Sequence, residues 1–277
     1  MAVEDDRTAQ VRAYLEYFRD MGVHDFYRGG DGVALETQAV EEAVPVALSA
    51  PPVSVVASLT PMELNIAKLI SFNDLAPMPA TRVAAAERVA ALAAIQKEIG
   101  DCTRCPLAYA GRHTIVFGQG DPNARLMFVG EGPGADEDVQ GLPFVGKSGQ
   151  LLNNMIVAMG LRREDVYIAN VVKCRPPANR APEPVEANTC TQFLVRQMDV
   201  VQPEVVVALG ATAAMYLLGV KQSLASLRGR FHPVRGAKCA ITYHPAFLLR
   251  DPTKKGEAWK DLQMVMKEMG LKAGSRG

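Results

Sequence analysis

The sequence has 277 residues, 48% of them hydrophobic, with 30 basic side chains balanced by 30 acidic ones. It can therefore bury one sizeable core with material to spare, and it excludes a histone-like coat of positive charge, so any contact with a polyanion must be local. There is no run of about twenty apolar residues, and the opening MAVEDDRTAQ is acidic rather than basic-then-apolar; a soluble, cytoplasmic chain with no membrane partner is expected.

In chain order, RTAQVRAYLEYFRDM (7–21) spaces Val11, Leu15 and Phe18 for an amphipathic helix that Gly22 stops, which defines an N-terminal segment over 1–28. Residues 29–80 turn acidic and rich in Ala, Pro, Val and Ser, a linker composition of low order, interrupted where Thr60-Pro61 supplies a cap and first-turn proline for a brief helix. The remaining segment, 81–277, reads as one domain. A helix is predicted over about 81–98, a strand at LMFVG (126–130), a helix at GQLLNNMIVAMG and a second strand at VYIANVVK (166–173). A helix over about 185–200, a buried strand VVVALG (205–210), a helix ATAAMYLLG, a hairpin at FHPVRGAKCAITYHP and a last helix around 259–269 follow. Strands alternating with helices predict an α/β class fold, a three-layer α/β/α sandwich around a central parallel sheet, with ligands beyond the carboxyl ends of the strands.

Three loops leave strand ends carrying unusual residues: GEGPGADED (130–138), the stretch around Asn170, and TYHPAFLLR (242–250). The first lacks the spacing of a dinucleotide loop, and its carboxylates, Glu131, Asp136, Glu137 and Asp138, would repel a polyphosphate but could orient a water or accept from a base N–H. Phe144, in GLPFVGKSGQLL, could stack on a planar ligand or simply belong to the core. Asn170 could offer the paired donor and acceptor that a pyrimidine edge needs. After His244 the residues Phe247, Leu248, Leu249 and Arg250 form an apolar wedge with a basic tip, suited to entering a base stack; the alternative is a helix start packed on the core.

Four of the five cysteines form a second group: the pair Cys102 and Cys105 in CTRCP, then the single Cys174 and Cys190. In a chain with no export signal these are expected to hold an iron–sulfur cluster rather than to form disulfides, with a structural zinc or four buried free thiols as the alternatives. Cys239 alternates with apolar residues and is expected in the core.

Taken together, GEGPGADED, GLPFVGKSGQLL, the Asn170 strand, the four cysteines and YHPAFLLR resemble the family 4, iron–sulfur uracil-DNA glycosylases, over about residues 95–270. The resemblance implies a monomeric DNA-repair hydrolase that flips uracil out of DNA and cuts its N-glycosidic bond, with a 4Fe-4S cluster on Cys102, Cys105, Cys174 and Cys190. It implies that Glu131, Gly132, Pro133 and Glu137 line or border the pocket, that Phe144 stacks on the base, that Asn170 reads its polar edge and that His244 faces O2. Glycosylases with a GQDPYH-like first motif place an aspartate where this chain has Gly132, so Glu131 and Glu137 compete for the water. The N-terminal segment is a candidate for holding a protein partner.

Overall fold

The computed structural model describes residues 69–272. The expected helix at 7–21 and the short helix after Thr60 lie outside the described residues.

A six-stranded sheet organises the domain. Its strands are β1 (Gln119–Gly120), β2 (Leu126–Gly130), β3 (Tyr167–Asn170), β4 (Val205–Leu209), β5 (His232–Val234) and β6 (Ala237–Thr242), in the order β1-β3-β2-β4-β6-β5. The four central strands run parallel; β1 and β5 close the two edges antiparallel. Strands β2, β3 and β4 are buried along their whole length, as runs such as LMFVG and VVVAL require when both faces of a sheet are covered.

One face carries α2 (Arg88–Ile99), α5 (Pro184–Val201) and α6 (Ala211–Leu218), after the single turn α1 (Phe72–Leu75). There Leu92, Ile95, Phe193, Leu194 and Leu217 meet Met127, Val129, Val206, Ala208 and Cys239. Short α3 (Ala135–Gln140) precedes α4 (Lys147–Ala158), and α7 (Leu224–Leu227) and α8 (Pro245–Arg250) precede α9 (Lys255–Met269). Helices α4 and α9 cover the opposite face, where Leu152, Ile156, Leu262 and Val265 pack on Leu126, Phe128, Ile168 and Val207. The three-layer sandwich is therefore present. Among the described residues no helix is long and apolar enough to cross a membrane.

Several boundaries move: the helix expected from about residue 81 begins at Arg88, after the turn Ala85–Glu87, and the last helix begins at Lys255. The second strand stops at Asn170 rather than residue 173, because Val171 and Val172 leave it to donate to Gly130 O (2.9 Å) and Glu131 O (3.1 Å) on the first loop. The linker does not run to residue 80: Phe72 is fully buried in the core, and Arg235 donates to Phe72 O, Ala76 O and Pro77 O while its guanidinium pairs with Asp199 (2.6 Å). A Cβ on Gly219 would collide with the Ser71 backbone, which is how closely this strap lies on the domain. Its alanine- and proline-containing composition concealed one anchoring aromatic.

Candidate active site and cysteine cavity

β2 ends at Gly130, β3 at Asn170 and β6 at Thr242, and the loops that leave these three ends surround a cavity of about 360 Å3. Glu131, Gly132, Pro133, Glu137, Phe144, Asn170 and His244 all line it, beside Phe247 and Arg250. Ala246, at the start of the expected wedge, lines it as well, as do Ser148, Pro176, Asn179 and Arg180, which were not expected. The proline-rich run PPANR was the available signal: Ala178 and Asn179 both take left-handed backbone (φ 52 and 54), which turns the loop back over the pocket.

Asn170 is 1% exposed, and its Oδ1 has no hydrogen-bond partner. An unpaired buried acceptor costs about 1–3 kcal/mol, so this oxygen marks where a ligand N–H belongs. The backbone behind it is fixed by Lys173, whose buried ammonium donates to Asn170 O (3.0 Å) and Gln197 Oε1 (2.6 Å). Burial pulls the pKa of Lys173 down to about 8. A Cβ on Gly130 would strike Asn170 Oδ1 and come within 2.6 Å of Phe144 Cζ, so glycine there lets carboxamide and ring edge converge.

Phe144 belongs to both the core and the pocket. It is 4% exposed and packs with Leu152 and Ile156, yet its ring centroid lies 5.6 Å from that of His244, the planes inclined by 33°. Its φ of 52 places a bulky residue in left-handed backbone, a conformation that costs of order 1–3 kcal/mol and persists only where the surroundings impose it. Gly149 on α4 makes room for it, since a Cβ there would collide with the Phe144 carbonyl.

His244 caps α8: its Nδ1 accepts from Ala246 N–H (3.1 Å), and Pro245 takes the first helical position. This bond assigns the proton of the neutral ring to Nε2, leaving an N–H donor for the pocket. Burial, reinforced by the Arg250 charge and opposed by Glu137, draws its pKa down to about 4, so the ring is neutral at physiological pH.

The acidic loop is less open than its composition suggests. Glu137 is buried; its Oε1 accepts from Val145 N–H (2.9 Å) and Gly146 N–H (3.1 Å), and its Oε2 from Gly134 N–H (3.1 Å). Asp138 turns away entirely, accepting from His113 Nδ1 (2.7 Å) and from the His113 and Thr114 backbone. Burial alone would raise the Asp138 carboxyl, but these donors outweigh it and hold it below the usual carboxylate range. Glu131 is half-exposed on the pocket wall and, among the described residues, takes part in no such network.

The expected wedge needs correction. Residues 245–250 form a helix, and Leu248 is 1% exposed, packed into the domain and unable to enter a base stack. Phe247 stacks on Tyr243 (5.2 Å), which in turn lies under Arg228 (4.1 Å), while Leu249 is 43% exposed and Arg250 is exposed. Only Phe247, Leu249 and Arg250 of the four are placed to meet a ligand. Leu248→Ala should accordingly destabilise the fold by about 2–5 kcal/mol. Leu249→Ala should change stability by no more than about 0.5 kcal/mol in the same denaturant titration.

On the other side of β3, Cys102, Cys105, Cys174 and Cys190 line one small cavity with Ile99, Ile115, Lys173, Thr189 and Phe193. Among the described residues no three His, Cys, Asp or Glu side chains meet closely enough to hold a single metal ion; the four sulfurs surround a space instead. Nitrogen donors reach three of them: Lys173 N–H to Cys190 Sγ (3.3 Å), Arg104 to Cys102 Sγ (3.4 Å) and Arg112 to Cys174 Sγ (3.7 Å). Burial pushes the thiols of Cys174 and Cys190 up to about 11 and about 12, against the opposing charges of Arg112 and Lys173. Cys239 lies in the core, as its strand pattern implies.

The Uracil DNA glycosylase superfamily model matches residues 117–263. The chain is 47% identical over 159 residues to the type-4 uracil-DNA glycosylase of Thermotoga maritima, covering 57% of this chain and 82% of that protein. With the type-4 uracil-DNA glycosylase of Archaeoglobus fulgidus it shares 40% identity over 186 residues, 64% of this chain and 93% of the relative. The corresponding protein of Pyrobaculum aerophilum is 44% identical over 174 residues, 60% and 88% of the two chains.

Proposed function

The chain belongs to the type-4 uracil-DNA glycosylases, and from that premise we propose that its pocket accepts uracil extruded from DNA, hydrolyses the N-glycosidic bond and leaves an abasic site. The observation that carries this reading is the orphan Oδ1 of Asn170, buried at the pocket wall beside Phe144. It accepts from the N3–H of uracil, and the carboxamide N–H₂ faces O4. Cytosine reverses both requirements, with an acceptor at N3 and an amino group at C4, so it leaves buried groups unpaired.

Cleavage leaves an oxocarbenium-like sugar and a uracil anion. Neutral His244 donates its Nε2–H to O2, where negative charge develops, and Phe144 stacks on the base to hold it in line. The carboxylate left to position the water is Glu131. All three N–H bonds to Glu137 come from the loops at residues 134 and 145–146, so its task is to tie those loops together. Leu249, Phe247 and Arg250 on α8 face the DNA at the mouth of the pocket. A module that only bound DNA would have no use for an acceptor and a donor converging inside one pocket.

The donor set suits a 4Fe-4S cluster on Cys102, Cys105, Cys174 and Cys190: four thiolates around a cavity, with N–H groups directed at sulfur. Such a cluster would supply architecture, joining the segment before the short turn Pro106–Tyr109 to the chain after β3 and to α5.

Purified protein is expected to release free uracil from a uracil-containing oligonucleotide and leave an alkali-labile site. A strand that survives hot alkali intact after incubation with folded, metal-loaded protein would reject the function. Cys174→Ser is expected to lose the broad visible absorption of a cluster and to unfold at lower temperature, read by absorbance and calorimetry; colourless protein with stoichiometric zinc would replace the cluster by that ion.

A further inference from the structure

We propose that Arg163 is a positioning residue for Phe144: its forked guanidinium holds the Pro143–Phe144 backbone in the left-handed turn that presents the ring to uracil. The inference rests on the reading that Phe144 stacks on the base.

Arg163 opens the short turn Arg163–Asp165 that leads into β3, outside the pocket itself. Its Nη1 donates to Phe144 O (3.1 Å) and to Asn153 Oδ1 on α4 (2.8 Å), and its Nη2 donates to Pro143 O and reaches Gln119 Oε1 at 3.5 Å. Two consecutive carbonyls converge on one cation only if the peptide between them curls, and the φ of 52 at Phe144 is that curl. A planar guanidinium can serve both oxygens at once, whereas an ammonium has no matching fork. Gly149, which has no Cβ, leaves room for the same peptide to pack against α4, and Asn153 orients the cation from that helix. Without Arg163 both carbonyls would face an open cleft lined by Gln119, Gly120, Asp121 and Glu164, where water could satisfy them equally well in a relaxed backbone. The ring would then leave its place beside His244.

The test is single-turnover excision by Arg163→Ala, Phe144→Ala and the double variant, with melting temperatures measured alongside. Arg163→Ala should lose roughly ten- to a hundredfold in rate, the scale of a reacting group misplaced by about an ångström. Because Arg163 acts through Phe144, adding Arg163→Ala to Phe144→Ala should slow that variant by no more than about twofold. Methylguanidinium can enter the cleft at residues 119–121 and should restore Arg163→Ala several-fold. It should not restore Phe144→Ala, and methylammonium should restore neither. A wild-type rate for Arg163→Ala, additive losses in the double variant, or equal rescue of both single variants would overturn the proposal. A wild-type rate for Phe144→Ala would instead remove the stacking role on which it rests. If Arg163→Ala does not fold, Arg163→Lys decides: it must be slow at an unchanged melting temperature, and full activity overturns the assignment.

Discussion

Replacing His244 with alanine is expected to lower uracil excision by roughly 10²–10³-fold, the usual cost of removing one donor aimed at a developing oxyanion. Affinity for DNA should change little, since the ring addresses the base while Arg250 faces the strand; binding to a non-cleavable duplex measures this. Alanine also removes the cap of α8, worth about 1 kcal/mol, so His244→Asn is the needed companion. Asparagine can accept from Ala246 N–H through Oδ1 and still offer an N–H, and should fall between wild type and alanine in rate. The pH profile separates a neutral donor from a cationic one. With a pKa of about 4 the ring is uncharged over the whole neutral range, so the wild-type rate should show no inflection near 6.5 that the variant lacks. Stability follows the opposite course on the acid side. Between the unfolded value near 6.5 and the folded value near 4 the unfolded chain binds a proton that the folded chain refuses, so stability declines as pH falls through that window. His244→Asn should flatten that slope in denaturant titrations.

Asn170→Asp should be nearly as damaging to uracil excision, by about 10²-fold or more, for a different reason. The change keeps size and shape but replaces the N–H₂ donor with a second acceptor, which would face uracil O4 in a buried site. The expected outcome includes the converse: the carboxylate can accept from the amino group of cytosine, so any residual activity should shift toward cytosine-containing strands. Measuring both substrates in parallel matters, because loss on uracil with no shift at all would mean that Asn170 merely supports the loop.

The central strands were legible in the sequence because they are buried on both faces and therefore read as unbroken apolar runs, LMFVG and VVVAL above all. Much of the pocket was legible because the stretches GEGPGADED, around Asn170 and TYHPAFLLR leave strand ends, whereas Phe144 reaches it from beyond α3. What escaped is what depends on contacts across the fold. β1 has only two residues, too few for any period, and α3 is acidic and lasts six residues before Gly141 ends it. Helix α8 looked like a surface wedge because its run of apolar residues does not show which side chain the domain will claim; only packing identifies Leu248 as the inward one. The left-handed backbone of Phe144 is imposed from Arg163, nineteen residues away. The carboxylates of the first loop counted alike in composition, but backbone N–H groups engage Glu137 and Asp138 and not Glu131.

Glu137 bonds to both rims of the pocket, Gly134 on one loop and Val145 and Gly146 on the next, so one buried carboxylate ties the two rims together. A cavity built this way is finished before DNA arrives, and little binding energy goes into closing it. The work of repair then falls on the duplex: the lesion must break its pair and leave the stack, which is cheapest for a mismatched base.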